Sequence, residues 1–145
     1  IPDHATAKFT LRAFDPETRN RLIDTLVRLF EGVAAAHGTT CEIEVKKLYP
    51  VTTNHDDETG FLSEVTEEVF PGRWSELTDP VGASEDFSKV LERIPGTFAF
   101  VAAVDPDKDP ETAAFNHSPF ATYDDSVLVD CSRLLAELAA RRLSA

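Results

Sequence analysis

Methionine is absent from the 145 residues, tryptophan occurs once, cysteine twice and glycine six times. Two cysteines far apart in the chain make no disulfide framework and no redox pair, so stability has to come from an apolar core. With 42% hydrophobic residues, a domain of this length can bury roughly 70% of the surface its unfolded chain exposes, which argues against long disorder. Basic residues are scarce: 14 Lys and Arg stand against 26 Asp and Glu, a formal charge of -12. Such a field repels phosphate backbones and anionic lipid heads, so neither nucleic acid nor a membrane is an expected partner. Long apolar runs are also missing. The longest, Phe98 to Val104, falls far short of the ~20 residues a membrane-spanning helix needs. No basic leader followed by an apolar stretch and a small-residue cleavage site is visible, which does not by itself settle the compartment; the expectation is cytoplasmic. A complete translation product begins with methionine, whereas this sequence opens Ile1-Pro2-Asp3-His4. The expectation is a segment of a longer parent.

What is present has clear periodicity. Ala7, Phe9, Leu11 and Ala13 alternate with Lys8, Thr10 and Arg12, the pattern of a half-buried strand. Asp15-Pro16 supplies a cap and a first-turn proline, and Leu22, Ile23, Leu26, Val27, Phe30, Val33 and Ala34 keep one helical face apolar up to Gly38. Cys41, Ile43 and Val45 alternate with Glu42, Glu44 and Lys46, predicting a second strand and hence β-α-β over 7–48. Asn54 to Asp57 then start a helix bearing Phe61, Leu62, Val65 and Val69, closed by Pro71-Gly72. Ser84 is placed to cap a short helix with Glu85 and Asp86 in its first turn, ending at Pro95. Residues 97–104 are apolar on both faces, which predicts a covered strand inside an α/β sheet. A long Pro- and Asp-rich loop, 105–125, precedes a last helix with Val127, Leu128, Cys131, Leu134, Leu135 and Leu138 inward. The predicted class is α/β, with a compositional boundary between Tyr49 and Asn54.

Few residues carry chemistry on local grounds. The histidines at 4, 37, 55 and 117 form no close pair at metal-ligand spacing with Cys, Asp or another His. His37 complements a helix dipole, and His4 and His55 read as exposed polar residues. His117 lies in the long loop between a predicted buried strand and a helix, where α/β folds place ligand-contacting groups. Cys41 and Cys131 read as core thiols. The Glu85-Asp86 pair suits either acid-base work or the helix dipole, and Arg12 either a surface ion pair or a bidentate carboxylate clamp. Phosphate-binding glycine loops, a Gly-x-Ser-x-Gly elbow and a His-Glu-x-x-His helix are absent.

In order, Ile1-Pro2-Asp3, Thr10-Leu11-Arg12-Ala13-Phe14-Asp15, Tyr49-Pro50-Val51-Thr52-Thr53-Asn54, Gly82-Ala83-Ser84-Glu85-Asp86-Phe87, Ile94-Pro95-Gly96-Thr97-Phe98 and His117-Ser118-Pro119 resemble the C-terminal part of the M20 metallopeptidases. The similarity is to their amidohydrolase branch, the hippurate hydrolase-like and N-acyl-amino-acid amidohydrolases. The resemblance implies a catalytic α/β domain of zinc-peptidase type interrupted by a ferredoxin-like lid that mediates homodimerisation. Residues 1–53 would be the second half of the lid and residues 54–145 the C-terminal part of the catalytic domain. His117 matches a metal ligand; Arg12 and Asn54 match lid-side positions that hold a substrate carboxylate; Ser84, Glu85 and Asp86 match a word at the edge of the active site. The implied cofactors are two divalent ions (zinc, manganese, cobalt or nickel), and the implied substrate is an N-acyl amino acid or small peptide. The general base and the other ligands match nothing here, so the chain alone is expected to be inactive and to hold no metal pair. The rival expectation is a non-catalytic β-α-β binding or dimerisation module.

Overall fold

The computed structural model describes residues 2–144. The regular elements among them are four helices: α1 (Pro16–Ala36), α2 (Asp56–Val69), α3 (Ser88–Leu91) and α4 (Val127–Leu143). Two compact units divide the chain, one of Ile1–Thr53 with Leu77–Pro95 and one of Asn54–Glu76 with Gly96–Ala145.

In the first unit, α1 starts where sequence chemistry requires. The Asp15 carboxylate accepts the Thr18 N–H at 2.7 Å and Pro16 occupies the first turn. That Thr18 N–H, the largest influence, holds the Asp15 carboxyl below its ordinary range. Gly38 follows the C-cap His37, and its φ of 67° suits a residue without a Cβ. Phe9 stacks on Phe30 of α1 with ring centroids 5.6 Å apart. In α3, Ser88 is fully buried and Leu91 nearly so, and the Ser88 hydroxyl donates to the Glu85 carbonyl at 2.5 Å.

In the second unit α2 packs on α4, and Leu62, Val65 and Thr66 of α2 are buried. The Thr66 hydroxyl is satisfied by the Leu62 carbonyl at 2.7 Å, so burying it leaves no orphan donor. Arg141 pairs with Glu68, Arg142 with Glu58, and the Arg142 guanidinium lies 4.3 Å from the Phe61 ring centroid. The last-turn arginines of α4 thus act on α2 as well as on their own helix dipole. Just past α2, the Glu67 carboxylate accepts the N–H groups of Gly72 and Trp74 at 2.8 and 3.0 Å. The Gly72 bond, then the Trp74 bond, holds its carboxyl below the usual range.

The expected α/β class, with its β-α-β lid half and α/β catalytic part, is overturned: among the described residues there is no strand or sheet, only an isolated antiparallel bridge between Val104 and Tyr123. Alternation specifies which side chains would share a face, but it supplies no neighbouring backbone. Residues 7–14 and 41–46 find none, and Phe9 is 73% exposed despite its contact with Phe30. Residues 97–104 are not covered either, since Phe100 and Val101 are exposed. Phe98 meets a side chain where a strand would meet a strand, because its N–H and carbonyl both bond the Asn54 amide. Three further local expectations change. Ser84 does not cap α3, whose first residue is Ser88; Cys41 is exposed rather than in a core; Leu128 and Leu135 of α4 face outward.

Candidate functional site

Arg12 and Ser84, 72 residues apart, meet in the first unit: an Nη of Arg12 donates to the Ser84 Oγ at 2.6 Å. Ser84 is held there by the turn that follows it. The buried Ser88 donates its hydroxyl and its N–H to the Glu85 carbonyl, while the Glu85 carboxylate folds back onto the Asp86 N–H at 3.1 Å. The Arg12 guanidinium is exposed and makes no ion pair with Glu85, Asp86 or any other acid among the described residues. A guanidinium steered by a neutral hydroxyl keeps its full charge and most of its N–H fork for an incoming carboxylate. The Ser84 O–H stays free to donate a further bond.

Asn54 lies in the second unit, just before α2. Its amide is committed, Nδ2 donating to the Phe98 carbonyl at 3.0 Å and Oδ1 accepting the Phe98 N–H at 2.8 Å. What remains is one N–H and one lone pair. It borders a groove of about 530 Å³ whose walls include Asp56, Glu64 and Glu76.

His117 is exposed in a turn of the long loop and is the one non-glycine residue with positive φ, 70°, among those described. That conformation costs a residue with a Cβ and persists only where the surroundings impose it. Flanking bonds do so: Ser118 N–H donates to the Phe115 carbonyl at 3.1 Å, and Tyr123 donates its hydroxyl to Asn116 Oδ1 at 3.0 Å. Among the described residues no group of three or more His, Cys, Asp or Glu is placed to hold a metal ion. The residues present therefore do not fit a two-metal centre on their own, and His117 offers a single donor.

The sequence reading missed His55, taken for an exposed polar side chain. It is half-buried, and its Nδ1 lies 3.1 Å from the Gly96 carbonyl and 3.2 Å from the Gly96 N–H, while its own N–H donates to that carbonyl. With Asn54 on Phe98, it ties the start of α2 to residues 96–98. A polar residue beside a helix start is the signal that could have suggested this.

Comparison with known proteins places the chain in a family. The model of Peptidase family M20/M25/M40 matches residues 3–141, and the chain belongs to that family. It is 31% identical to the hippurate hydrolase of Campylobacter jejuni, over 99% of this chain and 36% of that protein. It is 30% identical to thermostable carboxypeptidase 1 of Saccharolobus solfataricus, over 88% of this chain and 32% of that protein. It is also 30% identical to the N-acetyl-L-cysteine deacetylase of Bacillus subtilis, over 99% of this chain and 32% of that protein. The chain thus spans about a third of the length of these curated relatives. No solved structure matches. No described helix is long and apolar enough to cross a membrane.

Proposed function

We propose that this chain is the C-terminal part of a metal-dependent amidohydrolase or peptidase that cleaves the amide bond of N-acyl amino acids or small peptides. In this reading residues 1–53 belong to a lid and residues 54–145 to the catalytic part. The reading is supported by the family membership and by relatives named for hippurate, N-acetylcysteine and carboxypeptidase substrates. Each of those substrates presents a free carboxylate beside the amide to be cleaved. The single observation that carries the reading is Arg12 held on Ser84 with its charge unspent. There the guanidinium receives the substrate carboxylate, Ser84 fixes its orientation, and Glu85 and Asp86 border the same turn. Asn54 contributes its remaining N–H, and His117 one imidazole to the metal centre.

In a protein of the relatives' length carrying this segment, Arg12→Ala should raise KM for an N-acyl amino acid about 10- to 100-fold with little change in kcat. Such a loss matches hydrogen bonds to a charged group that exist equally in the ground and transition states. Arg12→Lys should recover part of it, since an ammonium keeps charge but loses the fork. A fall in kcat at constant KM would refute the assignment. The 145-residue chain alone, supplied with zinc, manganese, cobalt or nickel, should show no turnover, and turnover there would refute the reading that the other metal ligands and the general base lie outside it.

The lid reading also implies a homodimer. α1 leaves Leu22, Leu29 and Val33 uncovered, spaced along one side of the helix. Sedimentation equilibrium should show reversible dimers that Leu29→Glu weakens at least about tenfold, the scale of losing one buried leucine contact. A monomer at all concentrations would remove this part of the reading.

A further inference from the structure

In a chain with nearly two acids per base, four of the 14 cations converge in the first unit. Arg19, Lys47, Lys89 and Arg93 line one groove of about 490 Å³, with Glu92 as the single acid on its wall. None of the four has an ion-pair partner among the described residues. Three are nevertheless anchored, each by a neutral group. An Arg19 Nη donates to the Tyr49 carbonyl at 2.8 Å, Lys47 Nζ donates to Asn20 Oδ1 at 3.1 Å, and Lys89 Nζ sits 4.8 Å from the centroid of the Tyr49 ring. Neutral anchors fix where the cations stand without cancelling their charge. The Arg19 Nε is buried and has no hydrogen-bond acceptor, and a buried donor of that kind is normally satisfied. Like charges gathered without counterions raise the local potential and draw in an anion.

We propose that this groove binds a diphosphate group, as inorganic pyrophosphate or as the diphosphate of a nucleotide. A single carboxylate would neutralise one cation and leave the others facing each other. With Glu92 offsetting one cation, a diphosphate brings charge close to the remaining excess and enough oxygens to reach all four, and its oxygens match the two guanidinium forks. The site is open and its cations lie on α1, on the segment before Pro50 and around α3, so one small ligand would tie these three stretches together.

The test is calorimetric titration of the 145-residue chain with inorganic pyrophosphate and, separately, with a nucleoside diphosphate. Saturable binding of pyrophosphate is expected, weakening as ionic strength rises. Lys47→Ala and Arg93→Ala should each loosen it about tenfold, the loss of one charge-assisted hydrogen bond. Lys8→Ala, an exposed lysine of the same unit that is not part of the groove, should leave it unchanged. Equal affinity for both ligands would show that the diphosphate alone is read, and tighter nucleotide binding that the groove also takes the nucleoside. Absence of saturable binding of either, or loosening by Lys8→Ala as large as by Lys47→Ala, would overturn the proposal. Circular dichroism of the variants separates lost binding from lost folding.

Discussion

His117→Ala, introduced into a full-length enzyme carrying this segment, should lower metal-dependent amide hydrolysis by about 100-fold or more. Disturbing only the residues behind a metal ligand already costs 10- to 100-fold, and an inner donor should cost at least as much. The proposal rests on three things: the match of His117-Ser118-Pro119 to a family ligand, the exposed imidazole, and the positive φ that its turn imposes. The backbone suggests a control. Glycine tolerates φ of 70° better than alanine does, so in the isolated chain His117→Gly should be more stable than His117→Ala by about 0.5–1 kcal/mol. Ligation predicts that both variants lose metal content and activity in the full-length enzyme. A purely conformational role predicts that glycine restores what alanine removes, and that result, or parental metal content in both, would sink the assignment. His37→Ala should change little, because His37 ends α1 through its backbone N–H.

The helices were legible in the sequence because the signals that start and stop them are local. Asp15, Pro16 and Gly38 act within a turn of the residues they cap, and the apolar spacing of Leu62 and Val65 marks the buried face of α2 directly. The strands were misread because a strand is a statement about a second segment, and alternation at 7–14 or 41–46 names no partner. Ser84 shows the same limit on a smaller scale. Serine before two acids is a cap by local rules, yet its hydroxyl meets Arg12 from 72 residues away. Likewise Asn54 and His55 read as the polar start of a helix, whereas both are engaged by residues 96–98. The candidate residues were named through family resemblance alone. The pairing of Arg12 with Ser84 and the conformation of His117 required coordinates.

Val65→Asp should unfold the second unit at neutral pH. Among the described residues of that unit only Leu62, Val65 and Thr66 are buried, spaced along one face of α2, and Val65 is 2% exposed. A folded unit of this size has on the order of 4–10 kcal/mol of stability, and one with so few buried side chains belongs at the low end. An ionised carboxylate at position 65 would be buried without a partner, at a cost of about 3–5 kcal/mol, comparable to the whole margin. Val65→Ala is the graded version: losing two methyl groups and leaving a small cavity should cost roughly 1–3 kcal/mol. The charge itself is tested by pH. Burial raises the folded-state pKa of such a carboxyl above its unfolded value, so the penalty is present at neutral pH. It shrinks as pH falls through the folded pKa toward the unfolded one near about 4. Val65→Asn, which carries no charge, should show no such recovery. Trp74, the only tryptophan, belongs to this unit, so its fluorescence during urea unfolding reports these changes. An unchanged midpoint in Val65→Asp would mean that the α2–α4 contact does not hold the unit together.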